Sequence, residues 1–195
     1  MKKVILAAGI AAILAGCASN DEPKLAPLAE CAFPDAPTAE APLWVCSAPV
    51  EGVEVSAVGA AQIGNAGLSF YKQQAATQAR VELAQMMQVQ VNNMVKQYAE
   101  TTGVGDAETV DQVLTSVTKQ LTSESITGSR VYRTMTSPNK TLYVLVGIDA
   151  QAAESITKVA LQTSMNNDQA LWQKIQAGKA QDEMAAEIAA MKAGK

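Results

Sequence analysis

The chain has 195 residues, a formal net charge of −4, no histidine and only 4% aromatic residues. Without histidine it can build neither a Ser-His-Asp triad nor a histidine-ligated metal site. An acidic chain whose basic residues are scattered lacks the concentrated positive surface that phosphate binding requires, so nucleic acid is excluded as a general partner. The length suits one domain with tails.

The first sixteen residues read as a secretory signal peptide. Lys2 and Lys3 form a positive start, and Val4 to Leu14 is an uninterrupted run of apolar residues and glycine. Such a run matches the hydrophobic region of an export signal. It is too short to span a bilayer, which takes about 20 apolar residues. Leu14-Ala15-Gly16-Cys17 then resembles the lipobox of bacterial lipoproteins at every position. The resemblance implies cleavage before Cys17, diacylglycerol on its thiol and usually a third acyl chain on its freed amine. One acyl chain anchors only marginally, whereas two or three make release from a membrane very slow. In many Gram-negative bacteria an Asp directly after the lipidated cysteine favours retention in the inner membrane. Here that position is Ala18 and the first acid is Asp21. The resemblance therefore implies the periplasmic face of the outer membrane. Loss of Lys2 and Lys3 takes the formal charge from −4 to −6.

Residues 17–43 are expected to form a lipidated, flexible linker. Pro23, Pro27, Pro34, Pro37 and Pro42 stand among Ala, Glu and Asp, a composition that buries too little apolar surface to order itself and stays semi-extended. Cys31 and Cys46 remain as an even pair once Cys17 is assigned to lipid. They either form a disulfide or stay as free thiols or a transient link to a partner. An oxidising compartment favours the disulfide, which would contribute roughly 3 kcal/mol in the chain-entropy picture. There is no Cys-x-x-Cys spacing to suggest a metal.

A domain is expected over residues 44–164. Val53 to Ala60 begins with strand-like alternation, and Gly59, Gly64 and Gly67 break it into a loop. Leu68 to Glu100 contains neither Gly nor Pro and reads as one long helix. Ala76, Ala79, Leu83, Met87, Val91, Met94 and Tyr98 form its apolar stripe. Thr101 to Gly105 ends it. Asp106 is placed to cap a second helix through about Ser123, with Val110, Val113, Leu114, Val117 and Leu121 inward. Ile126 to Thr136 reads as a strand, Ser137-Pro138-Asn139-Lys140 as a turn, and Thr141 to Ile148 as the strongest strand of the chain. Its near-continuous apolar run predicts a strand covered on both faces, or a central one. Asp149 would cap a helix through about Ser164. Residues 165–195 read as a helical extension whose thin apolar edge comprises Leu171, Ile175, Met184, Ile188 and Met191. That edge predicts a peripheral helix, dispensable for folding, whose apolar residues a partner or a second copy could cover; the competing reading is a helix docked permanently on the sheet.

Helices and strands that do not alternate regularly argue for an α+β fold. The expectation is a small antiparallel sheet of about three strands, helices packed on one face and a peripheral C-terminal helix. This order resembles the lipoprotein-20 family of Gram-negative outer-membrane lipoproteins, some of them associated with flagella. The residues that carry the resemblance are Val58-Gly59, then Ala75, Ala79-Arg80 and Leu83-Ala84 on the helix, and Tyr143-Val144-Leu145-Val146. It covers about residues 53–160. The same positions have plain physical readings: small residues let a helix approach a sheet, and Arg80 fixes a carboxylate or covers a helix edge rather than holding a ligand.

Little suggests catalysis, and no cofactor is expected. Glu51 and Glu54, or Asp106, Glu108 and Asp111, could pair as glycosidase carboxylates, but acids at a helix start usually answer the helix dipole. No glycine-rich phosphate loop is present. Met86, Met87 and Met94 read as core filler rather than a copper site. Two readings remain: an assembly lipoprotein that binds a protein partner or its own copies, and a binding module for a small ligand or a polymer such as peptidoglycan. Scarce aromatic residues weaken the second.

Overall fold

The computed structural model describes residues 30–103, 105–175 and 179–191. Strands β1 (Ala32–Phe33) and β2 (Ala36–Glu40) open the order, and a 3-10 turn at Leu43–Cys46 follows. Then come β3 (Val55–Gln62), α1 (Leu68–Thr102), α2 (Ala107–Gly128), β4 (Arg130–Thr136) and β5 (Thr141–Ile148). The chain closes with α3 (Ala150–Asn167), α4 (Gln169–Trp172) and α5 (Gln181–Ala190). β1 and β2 form a small hairpin, and the main sheet is antiparallel in the order β3-β5-β4. This is the α+β architecture expected, with the helices on one face of the three-stranded sheet. None of the described helices is long and apolar enough to cross a membrane.

β5 is central, and all eight of its residues are buried. Side chains alternate across a strand, so its two halves serve different cores. Leu142, Val144, Val146 and Ile148 face the helices. Tyr143 and Leu145 face a second, smaller cluster with Phe33, Trp44 and Val45. The continuous apolar run therefore reports burial on both faces.

The helix face is built on close approach. Gly59 of β3 lies against α1: a Cβ there would fall 1.9 Å from the Ala75 carbonyl oxygen and 2.8 Å from the Ala79 nitrogen. Ala75, Ala76 and Ala79 are buried at this contact, and farther along α1 the buried residues grow to Leu83, Met87, Val91, Met94 and Tyr98. The whole predicted stripe is inside. α1 ends at Gly103, whose φ of 66° is left-handed and whose N–H bonds the Ala99 carbonyl, a termination that glycine permits without strain.

Both predicted acidic caps form. The Asp106 carboxylate accepts from the Thr109 N–H at 2.7 Å, and that of Asp149 from the Ala152 N–H at 2.8 Å. α2 runs to Gly128, beyond the expected Ser123, and β4 starts at Arg130 rather than Ile126. Buried Ser125 continues the helical face, and Ser129 Oγ donates to the Ile126 carbonyl at the helix end. β-branched Ile126 imitates a strand residue in the sequence but stands exposed on the last turn.

Two expectations are corrected. Residues 30–43, read as flexible linker, are folded onto the open face of the sheet, so the ordered domain starts before Trp44. Proline-rich chain is already extended, and here that extension serves as a hairpin whose few large side chains find Tyr143 and Leu145. The segment after residue 164 is not left for a partner. α3 continues to Asn167 with Met165 buried, and Trp172, Ile175, Met184 and Ile188 are all buried in the main core. The stripe looked thin because a single straight helix was assumed. The observed break between α4 and α5 lets each short piece turn its apolar residues inward. Trp172 Nε1 donates to Ser164 Oγ at 2.9 Å, Ser164 Oγ donates to Ser116 Oγ at 2.7 Å, and Ser116 Oγ donates to Asp168. This chain of hydroxyls joins α4 to α3 and α2.

Two substitutions test this packing by urea denaturation. Gly59→Ala should lower stability by about 1–3 kcal/mol through overpacking; an unchanged midpoint would show that the β3–α1 distance is set elsewhere. Trp172→Ala should cost about 3–5 kcal/mol, as for a large buried side chain. A loss below ~0.5 kcal/mol, typical of surface sites, would restore the dispensable-tail expectation.

Candidate functional site

Cys17, the expected lipid attachment point, lies outside the described residues. The described chain begins at Glu30 and is fastened at once. Cys31 and Cys46 are joined, with S–S 2.05 Å and Cα–Cα 5.9 Å. Cys31 is buried and Cys46 is exposed. Within the closed loop, Pro34-Asp35 forms the turn between β1 and β2, a placement proline favours by fixing its own φ.

Asp35 clasps the far end of the sheet. Its carboxylate accepts from Tyr143 OH at 2.8 Å and from Ser137 Oγ at 2.5 Å, and its carbonyl accepts from Asn139 Nδ2. Phe33 lies beside Tyr143 with ring centroids 5.5 Å apart. Burial pushes the Asp35 carboxyl up, but hydrogen bonds from Ser137, Thr141 and Tyr143 outweigh it and hold it below the ordinary 3.8. Burial and the bond to Asp35 push the Tyr143 hydroxyl up to about 12. Asp35 was missed in the sequence because its stretch was read as linker; the Pro-Asp pair was the available signal.

β4 is the uncovered part of the molecule. Its single strand neighbour is β5, so its other edge is unpaired within the sheet. Six of its seven residues are exposed, and Tyr132 (36%) and Met135 (42%) present apolar surface. The β4–β5 register shifts between Val131 and Arg133, and Arg130 Nη2 meets Asp149 Oδ2 at 2.7 Å. An edge strand carries a row of free backbone groups that another chain can pair with, and charges on the edge limit indiscriminate pairing. Arg130 and Arg133 flank Tyr132 in this way.

The other singled-out residues do not converge. Glu51 and Glu54 are exposed before β3. Asp106 caps α2, and the Thr109 backbone N–H holds its carboxyl below the usual value. Glu108 accepts from Gln112, and Asp111 is exposed. No cluster of three metal-ligating side chains occurs among the described residues. Arg80 Nε donates to Ser129 Oγ at 3.0 Å, so its cation sits at the C-terminal end of α2, where the helix dipole welcomes it. Met87 and Met94 are core residues, but Met86 is exposed. Trp44, Trp172 and Phe33 are buried, while Phe70 stands outside, edge-on to Tyr71.

Of the residues that carried the sequence resemblance, Gly59 meets Ala75 and Ala79 at one joint and Leu83, Val144 and Val146 line the same core, whereas Val58, Tyr143 and Leu145 face the hairpin cover. The family described as LPP20 lipoprotein matches residues 42–149. The chain belongs to this family. The match spans the 3-10 turn through β5, more than half of the chain, and leaves β1, β2 and α3 to α5 outside it. A prokaryotic membrane lipoprotein lipid attachment site matches residues 1–18. The chain is therefore a membrane-anchored lipoprotein. No curated relative matches it.

The clasp predicts a pH dependence for the LPP20 domain. The folded Asp35 pKa lies below its unfolded value, so its contribution is present above about pH 4 and is lost as pH falls through the folded pKa. The folded Tyr143 pKa lies above its unfolded value of 10, so that contribution is complete below pH 10 and is lost as pH rises through about 12. Thermal melts from pH 2 to pH 6 should show the wild type losing more stability on acidification than Asp35→Asn. Parallel curves would mean that the clasp does not report on the fold.

Proposed function

We propose that this lipoprotein is a structural or assembly component of the cell envelope, held on the periplasmic face of the outer membrane and acting by protein–protein contact rather than catalysis. The observation that supports it best is β4: an edge strand with no second strand partner in its sheet, largely exposed, bearing Tyr132 between Arg130 and Arg133 with Met135 beyond them. The acids singled out for catalysis, by contrast, are divided between the turn before β3 and the start of α2. Burial of Trp44, Trp172 and Phe33 removes those rings from any sugar-stacking platform, which speaks against the alternative of polymer capture. Ala18 after Cys17 supports the outer membrane. Flagellar structures are among the assemblies to test, on family likeness alone.

Twelve residues lie between Cys17 and Glu30, a reach of at most roughly 45 Å when fully extended. The lipid would thus keep the clasped domain close to the bilayer, where an edge strand meets envelope partners repeatedly. A photo-crosslinking residue at Tyr132 should trap a discrete protein in intact cells, and one at exposed Lys119 on α2 should not. Cys17→Ser should abolish both fatty-acid labelling and the Tyr132 product. Labelling that survives Cys17→Ser overturns the anchor assignment; glycan alone at Tyr132, or equal products at both positions, overturns the contact reading.

A further inference from the structure

Where the chain enters β3, two adjoining clefts share Glu54 and Gln90. One, of about 530 Å³, lies between α1, α3 and the end of α5, with Met87 and Met94 on its floor and Glu154 on its wall. The other, of about 430 Å³, runs between Pro49 and Val53 on one side and Met86 and Val89 of α1 on the other. Together they make a trough across the middle of α1. Met86 is 44% exposed and Val89 62%, so its apolar wall is uncovered. Among the described residues no Lys or Arg lines either cleft, and the charged ones there are Glu54 and Glu154. Neither carboxylate has an ion-pair partner among the described residues.

We propose that this trough docks a basic, amphipathic polypeptide segment of a protein partner. Its cationic side chains would meet Glu54 and Glu154, while its apolar ones would cover Met86 and Val89. The charge is the argument for this occupant: an acidic partner would bring like charges together, which costs affinity. The methionines add tolerance, because unbranched thioether side chains reshape to fit different apolar partners. This surface explains Met86, which the core does not absorb. It goes beyond the β4 contact, on the other edge strand of the sheet, and the two surfaces have separate readouts. An in-chain competitor exists, since Ala189 and Ala190 line the trough and Lys192 and Lys195 follow them in sequence.

The test uses the oxidised full chain from residue 17 carrying Cys17→Ser, without detergent. The probe is a fluorescent synthetic peptide of lysine and leucine, with a glutamate–leucine peptide as its counterpart. Anisotropy should show binding of the lysine peptide only. Glu54→Gln with Glu154→Gln should weaken it roughly tenfold, a change of about 1.4 kcal/mol. Val89→Ser should weaken it as well, and Glu108→Gln on α2 should not. These are exposed positions, so unchanged melting temperatures would confirm that folding is intact. Equal binding of both peptides, indifference to the Glu54 and Glu154 changes, or an equal loss with Glu108→Gln would overturn the proposal. So would a tenfold gain on truncation after Met191, because the chain's own tail would then be the occupant. Failure here leaves crosslinking at Tyr132 unaffected, so the two readings fail separately.

Discussion

The fold depends on one contact that admits no side chain. Gly59 brings the β3 backbone against Ala75 and Ala79 of α1, closer than any Cβ would permit. This fixes the height at which a 35-residue helix lies over the sheet. Once α1 is seated, Leu83, Met87 and Val91 define the space that α2, α3 and α5 fill with Leu121, Leu161 and Ile188. A larger residue at Gly59 would lift the helix and open voids along the whole layer, since protein interiors tolerate little slack. The same constraint explains the small residues Ala57, Gly59 and Ala61 on the helix-facing side of β3, which strand propensity alone would disfavour.

The opposite face of the sheet is solved by different means. Its cover is a short segment with few large side chains, chiefly Phe33, Trp44 and Val45. Ordering a backbone costs about 1–2 kcal/mol per residue, more than this small cluster returns comfortably. The Cys31–Cys46 bond offsets roughly 3 kcal/mol by restricting the unfolded chain. The Asp35 clasp then ties the free end of the hairpin to Ser137, Asn139 and Tyr143. The cover is thus held at its covalent end and at its polar end, and Tyr143 serves both the apolar cluster and the clasp. Such an arrangement belongs in a compartment where disulfides persist.

These two solutions also explain what was legible in the sequence. β5 and the α1 stripe were plain because each residue's environment repeats with the period of its own element. The caps Asp106 and Asp149 were plain because capping is local. The cover was illegible because composition reports only that residues 30–43 cannot order alone, and the surface that orders them lies about a hundred residues away in Tyr143 and Leu145. The C-terminal helices failed for a related reason: a break after Trp172 changes the phase of the stripe, and periodicity cannot see a turn it does not expect. The exposure of β4 was hidden too. Val131, Tyr132 and Met135 look like core residues, and only the strand order β3-β5-β4 shows that β4 lies on an edge.

The arginines on that edge bear on how contact could be selective. A bare edge with Tyr132 and Met135 would invite pairing with any extended chain, and Arg130 and Arg133 restrain this. Restraint weakens the wanted contact as well. A lipid tether offsets the loss without adding any new interaction, because confinement near a surface raises the effective concentration of the domain there, into the millimolar range for short linkers. In the proposed role, a modest edge contact would then suffice at the membrane, where the same contact in free solution would be too weak to hold. Under the proposed contact role, anchor, covalent cover and guarded edge would form one device: the lipid would supply proximity, the disulfide and the Asp35 clasp fix where the tether enters the domain, and β4 would read only the partners that proximity delivers.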